Sequence, residues 1–353
     1  MQLPIDIPAV LKAATDIDGA AATPLSVSVY IDETAPGDLA GHVRALLASP
    51  GANTRVTIGY LEGERLVEPT GRDDMAVIVA GEGPRVGAQA AAVRAAGTPV
   101  MVATLSPSAV RARAEAAGCP IPAGDVAAPD TPAPSASGEL PVALADAARE
   151  PIALDDAARA SLDVRMGHWV IAACAEKKLA FALAFPFVRR PLAVDAVNAT
   201  ALQNAGIGAV VFIPGADMPV MTLNQAKMLL QIAAAYGQPL NGERIKELAA
   251  VVGGAFLFRN IARQFAGLVP GLGWAVKAAV GFAGTEAMGR AAIEYFEAGG
   301  DIVGLASVVQ RARDEAVEAA GRAAATPAGE RVIDAAKRGA AGLVRAVRGR
   351  ARG

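Results

Sequence analysis

The sequence predicts an α/β amino-terminal domain with a small, largely parallel sheet, followed by an all-α domain that contains a helical hairpin. Three observations carry this reading. The first third of the 353 residues alternates short β-branched runs with alanine-rich stretches, a Pro/Ala/Ser-rich break follows, and almost everything beyond it has helical periodicity. A chain of this length has room for two or three domains, each with its own core. Composition divides it into 1–126 for the α/β domain, 127–150 for a linker, 151–325 for the helical domain with its hairpin at 243–297, and 326–353 for a basic amphipathic tail.

In order along the chain, "LSVSVYI" (25–31), "TRVTIGYL" (54–61), "MAVIVA" (75–80) and "PVMVATL" (99–105) read as strands. "GDLAGHVRALLAS" and "VGAQAAAVRAAG" read as helices between them, and "YLEGERLVEP" reads as a hairpin at one edge. The linker centres on "AAPDTPAPSASGEL" (127–140). In the helical part, "TLNQAKMLLQIAAAYG" has Thr222 and Gln225 at capping-box spacing and stops at Gly237, with Pro239 just after. A second helix runs from near Asn241 to Pro270, a third starts at about Gly273, and a last one follows Pro327.

Composition narrows the function classes. Hydrophobic residues make up 53% and charged residues 19%, against about 45–50% and 25% in typical globular chains. Mean hydropathy is +0.35, which leans toward membrane contact. Arginine far outnumbers lysine, the mark of a GC-rich genome, and implies a bacterial source. A net charge of only -2 gives no global field toward nucleic acid or lipid, and no nucleic-acid partner is expected. Cys119 and Cys174 are too few and too far apart for a disulfide framework or a zinc site, which points to a reducing cytoplasm. The start, "MQLPIDIPAVLKAATDIDG", lacks a basic segment followed by an apolar run, so membrane contact is expected from the cytoplasmic face.

A strand, loop and helix opening the chain invite a test for phosphate chemistry. In "DETAPGDL", Asp32 stands where a phosphate-binding loop has its first glycine, and Gly37 fits the second. Asp38 and Leu39 replace the lysine that meets the β- and γ-phosphates and the hydroxyl that ligates magnesium. The fourth strand ends in "ATLSPS" (103–108) rather than the Asn-Lys-x-Asp of a guanine-specific GTPase. "GEGPRVG" (81–87) has G-x-G-x-x-x-G spacing, one residue too long for a dinucleotide fingerprint, and no acidic residue follows at the end of the next strand. The domain therefore reads as a degenerate GTPase-like or Rossmann-like module, or as an unrelated α/β domain, and 81–87 reads as a glycine-rich turn at the edge of the sheet.

Other tempting residues stay structural. His42 and His168 each stand alone, with no Cys, Asp or Glu at metal-ligand spacing. Asp155 and Asp156 fit a helix N-terminus, and Cys174 fits an apolar helix as inert packing. No catalytic, cofactor-binding or metal-ligating residue is assigned, no cofactor is expected, and the chain reads as a non-enzyme.

The stretches "GAVVFIPGADMPVMTLNQAKMLLQIAAAYG", "ELAAVVGGAFLFRNIARQFAGLVPGLG" and "GTEAMGRAAIEYF" fall between about Ala199 and Phe296. On these the chain bears a resemblance to a family of uncharacterised bacterial proteins of the YcjF type. Its marker positions are Pro214, Asp217, Pro219, Thr222, Gln225, Tyr236 and Gly237, then Arg259, Pro270, Gly271, Gly289 and Tyr295. It covers a little over a quarter of the chain. The resemblance implies a membrane-associated helical domain, often linked to an Era-like GTPase domain, with no catalytic residue to carry over. This chain departs from the GTPase-linked members in lacking their phosphate motifs.

"FAGLVPGLGWAVKAAVGFAG" (265–284) has the length of a membrane span, about 20 residues, with one charge. Lys277 at its centre would cost about 2.5–3.5 kcal/mol on an insertion scale, and Arg259 with Arg263 on the preceding helix roughly twice that. As separate spans the two helices are poor. As a pair, with Gly267 and Gly271 around Pro270 and small residues at Ala275, Ala279, Ala283 and Ala287, they form a tight hairpin in lipid or in water. Arg259 and Arg263 then find acids such as Glu286 or lie along a polar groove. The tail carries Arg331, Lys337, Arg338, Arg345, Arg348, Arg350 and Arg352 against Asp334, so it lies on an anionic surface, at about 1 kcal/mol per basic residue, or frays in solvent.

The leading expectation is a non-enzymatic protein at the cytoplasmic face of the cytoplasmic membrane, with an α/β binding module tethered to a membrane-docked helical domain. The alternative is a soluble scaffold or homo-oligomer whose hairpin is a buried core. A third reading, from the enzyme class, places an unconventional nucleotide site at residues 32–38 and 81–87.

Overall fold

The computed structural model describes residues 16–48, 51–63, 66–130, 150–210, 218–238 and 273–300, with scattered positions between 304 and 315. It has the expected class: a parallel α/β sheet followed by helices. The chain divides into two compact units, one spanning Ile17–Leu192 and the other holding the residues from Ala193 onward together with the first sixteen.

The sheet unit begins with α1 (Ile17–Ala22), then β1 (Leu25–Asp32), α2 (Gly37–Leu46), β2 (Thr54–Leu61), β3 (Met75–Ala80), α3 (Val86–Ala95), β4 (Val100–Thr104), α4 (Pro107–Ala116) and β5 (Val126–Ala127). The five strands are all parallel, in the order β2-β1-β3-β4-β5. Parallel strands covered on both faces read as continuous apolar runs, and every residue of β3 and β4 is buried. One face packs Tyr30, Ile78 and Val102 against Val86, Ala90 and Val93 of α3 and Val110 of α4. Each large aliphatic side chain buried there contributes about 1.5–3 kcal/mol.

Residues 156–192 also belong to this unit. They form α5 (Asp156–Ala173), α6 (Lys178–Ala184) and the start of α7 (Arg189–Val210). Leu162, Met166 and Val170 recur every fourth residue on α5 and are fully buried. Trp169 Nε1 donates to Asp125 Oδ1 at 3.3 Å, and Lys177 Nζ donates to Asp74 Oδ1 at 2.6 Å. Composition places 151–192 with the helical domain, but helical periodicity says nothing about which core a helix completes, and these residues belong to the sheet unit. The linker accordingly has both flanks in one unit.

Local readings differ from the structure in three places. The expected hairpin at "YLEGERLVEP" is not formed among the described residues. Tyr60 and Leu61 finish β2, and the backbone of Val67 pairs with a side chain instead: its N–H donates to Gln89 Oε1 at 3.0 Å and its carbonyl accepts from Gln89 Nε2 at 2.8 Å. The helix read from Thr222 begins earlier, as α8 (Met218–Ala235), so Thr222 is not its N-cap and Gln225 bonds to another helix. Its last helical residue is Ala235, and Gly237, whose φ of 68° suits glycine, closes its C-terminus as the sequence implies. The glycine-rich 81–87 turn follows β3, the middle strand, rather than lying at an edge.

In the helical unit, α9 (Gly273–Glu297) joins α8 and the later part of α7. Met228, Leu229 and Ile232 pack with Val197, Met288 and Ile293. Gly289 permits the closest approach, since a Cβ there would fall 2.3 Å from Val197 Cγ2. Among the described parts of the small-residue ridge, Ala283 and Ala287 are only half-buried, and the core face is the adjoining one through Thr285, Met288 and Ala292. Glu286 pairs with Arg290. Residues 239–272, including Arg259 and Arg263, the side chain of Lys277 and the basic tail lie outside the described residues. Among the described residues, no helix is long and apolar enough to cross a membrane.

Candidate functional site

In doubly wound sheets the order in which strands are added reverses at one point, and ligands bind in the crevice beyond the carboxyl ends of the two strands that flank it. The strand order places that point between β1 and β3. The two stretches singled out in the sequence, 32–38 and 81–87, are the loops that leave these strands, and they meet there.

Asp32 is at the centre of the meeting and is 1% exposed. Its Oδ2 accepts from the backbone N–H groups of Gly81 and Gly83, each at 3.2 Å, and from Thr34 Oγ1 at 2.5 Å. The glycines are required by proximity. A Cβ on Gly81 would fall 2.0 Å from the Thr34 carbonyl oxygen, and one on Gly83 would fall 2.2 Å from Asp32 Oδ1. The aspartate that the sequence sets against phosphate therefore serves as an internal anion, satisfying amides that could otherwise hold one.

Arg85, which no motif marked, closes the other side. Its Nη2 donates to Glu33 Oε1 at 2.9 Å and to the Leu61 carbonyl at 3.0 Å, tying the ends of β1, β2 and β3 together. Asp32 Oδ1 and Arg85 Nε and Nη1 are buried without a partner among the described residues.

One loop further along, α4 shows the same device. Its first amides, Ser108 N and Ala109 N, donate to the two carboxylate oxygens of Glu150 at 2.7 and 3.0 Å. Ile152 N then donates to the Leu105 carbonyl at 2.8 Å, fixing this returning segment beside β4. Two carboxylates of the chain thus occupy backbone donors at the top of the sheet.

The remaining candidates fall elsewhere. His42 does not stand alone: its Nε2 lies 2.6 Å from Asp163 Oδ1, joining α2 to α5 across 121 residues of sequence. Asp155 is the N-cap of α5 and accepts from Ala158 N at 2.8 Å, as its position implied. At the opposite end of the strands, Asp73 accepts from Ser26, Ser28 and Thr70 hydroxyls at 2.6, 2.8 and 2.9 Å. Burial alone would raise its pKa, but these donors and Arg55 outweigh burial and hold it below the usual carboxylate range. Nearby, burial pushes the Cys174 thiol up to about 12, with Asp74 adding to the effect and Lys177 opposing it. Among the described residues, no cluster of three His, Cys, Asp or Glu can hold a metal ion. Comparison with known proteins finds no family model, no curated protein and no solved structure that matches this chain.

Proposed function

We propose that the protein is a non-enzymatic, membrane-associated binding protein, with a degenerate GTPase-like or Rossmann-like module facing the cytoplasm and a helical domain docked on the cytoplasmic membrane. The observation that carries the non-enzymatic half is the filled crevice: Asp32 holds the amides of Gly81 and Gly83, and Glu150 holds those of Ser108 and Ala109. A phosphate entering either position would meet a carboxylate before it met a donor, which opposes binding. The module then works through its outer surfaces, by protein contact. Support for the membrane half is the weakly charged 265–284 stretch, the basic tail and the YcjF-type resemblance.

Two measurements test the halves separately. Titration calorimetry with GTP, ATP and NAD is expected to give no binding heat, and saturable heat with any of them would overturn the non-nucleotide reading. Native membranes washed with high salt and then alkaline carbonate are expected to retain the protein through at least the first wash. Recovery in the supernatant from the outset would replace membrane docking by the scaffold alternative.

A further inference from the structure

The sheet has two edges, and they are finished differently. The β5 edge is two residues long, and the chain beyond it is fastened to α5, where Asp130 N donates to Ser161 Oγ at 3.0 Å. The β2 edge is eight residues long and pairs with β1 in unbroken register from Leu25↔Thr54 to Asp32↔Leu61. It has no proline, no bulge and no lysine, devices that normally blunt an open edge, and its one charged residue, Arg55, is turned back onto β1, where Nη2 donates to Ser26 Oγ at 2.9 Å. Ile58 and Tyr60 on it are 42% and 52% exposed.

Beside this strand runs a groove whose other wall is the small-residue stripe Gly41, Ala45 and Ala48, on α2 and just past its end, with Val56 and Ile58 on the strand side. Side chains alternate along a strand, so Val56, Ile58, Tyr60 and Glu62 share the α2 face. Backbone groups alternate too. The Asn53 carbonyl accepts from Leu25 N, so the N–H and C=O groups of Val56, Ile58 and Tyr60 point to the open edge. Charge completes the pattern. Exposed Arg44 lines the groove near the start of β2, exposed Glu62 follows its end, and neither has an ion pair among the described residues.

We propose that this edge is a homodimer interface, in which β2 pairs antiparallel with β2 of a second copy about a twofold axis through Ile58. Only a twofold normal to the sheet gives antiparallel neighbours from identical strands, and it keeps each side chain on its own face. Centred on Ile58, it sets Val56 opposite Tyr60 of the other copy, and Thr54 opposite Glu62. Glu62 thereby reaches the Arg44 end of the other groove, twice over. The register that supplies backbone partners which Val56, Ile58 and Tyr60 lack among the described residues also joins Arg44 to Glu62, which selects a second copy over an unrelated peptide. The two five-stranded sheets become one of ten strands. This proposal does not depend on the membrane reading.

Light scattering on the full chain, with any detergent mass subtracted, is expected to give twice the 35.6 kDa chain mass. Ile58→Lys is expected to raise the dimer Kd at least tenfold with an unchanged circular dichroism spectrum. Arg44→Glu, at an exposed position, is expected to weaken the dimer severalfold, and adding Glu62→Arg is expected to restore it. In a Cys119→Ala background, Ile58→Cys is expected to cross-link to itself with a short bismaleimide, whereas Ala112→Cys on α4 is not. A monomer at all concentrations would overturn the proposal. So would a dimer indifferent to Ile58→Lys with no cross-link at 58, or a cross-link at 58 that captures a different protein.

Discussion

In the sheet unit the buried polar side chains fasten the loops at the strand ends, Gln89 and Ser28 reaching them from within α3 and β1, whereas in the helical unit they sit at the centre of the packing. Asp32 and Asp73 mark the two ends of the sheet, and the layers between are filled by Val, Ile and Met. In the helical unit, Asn204 of α7, Gln225 of α8 and Thr285 of α9 meet in the core, Asn204 and Thr285 with no exposed surface. Asn204 Nδ2 and Gln225 Nε2 both donate to Thr285 Oγ1, at 3.0 and 3.1 Å, and Asn224 Nδ2 donates to Asn204 Oδ1 at 3.0 Å. A parallel sheet has its register fixed by backbone ladders and needs polar side chains only where loops must be fastened. Alanine-rich helices can slide along one another, and a shared hydrogen-bond cluster gives them one register.

The largest effect that separates the two designs is expected from Phe181→Ala. Phe181 is fully buried and stacks on Phe185 at 6.1 Å, so its loss is expected to cost the sheet unit about 3–5 kcal/mol. Urea unfolding followed by Trp169 fluorescence is the readout, and an unchanged midpoint would contradict the assignment of α6 to the core of that unit. Next comes Thr285→Val, nearly isosteric, which leaves the Asn204 and Gln225 donors facing a methyl group. It is expected to destabilise the helical unit by about 1–3 kcal/mol. Thr285→Ser is expected to recover most of that, and equal loss in both variants would mean that shape, not the hydroxyl, matters.

Legibility in the sequence follows the same division. Two strands, β2 and β3, coincide with their β-branched runs, β1 extends one residue further to Asp32, and β4 is shorter by a residue at each end; for β3 and β4, burial on both faces forces unbroken apolar sequence. The two residues of β5, Val126 and Ala127, carry no such pattern. The α4 segment "PSAVRARAEA" has only Val110 and Ala114 buried, too thin a stripe to single out. Of the candidate site, the two loops were visible as loops, but strand order is a property of the whole sheet, and it alone makes Asp32 and Gly83 neighbours. His42 and Asp163 meet for the same non-local reason. In the helical unit, the Thr222–Gln225 spacing imitates a cap because capping and interhelical bonding draw on the same residue types.

Two smaller effects concern acid and base. The folded state holds the Asp73 carboxyl below its ordinary 3.8, so it binds fewer protons than the unfolded chain at low pH. The stabilisation is complete above pH 3.8 and is lost as pH falls through the lowered folded value. Asp73→Asn is expected to flatten acid unfolding curves in that range, and parallel curves would remove Asp73 from the account. Cys174 has the opposite sign: its folded value of about 12 lies above the ordinary 9.0, so its contribution is complete below pH 9.0 and falls away toward pH 12. At pH 8, iodoacetamide is expected to modify half-buried Cys119 and to spare Cys174 until the protein unfolds. Equal labelling rates in the native protein would show that Cys174 is not enclosed as described.

The segment 131–149 leaves and re-enters the same folded body. Before it, Arg165 Nε donates to Asp130 Oδ1 at 2.9 Å, and after it Glu150 caps α4. Asp130 and Glu150 belong to one folded unit, so a break in the chain between them would not release two domains. A protein synthesised as two pieces divided between Asp130 and Glu150 is therefore expected to reassemble, the second piece supplying α5, α6 and the Glu150 carboxylate to a sheet that lacks them, and co-purification of the two pieces checks it.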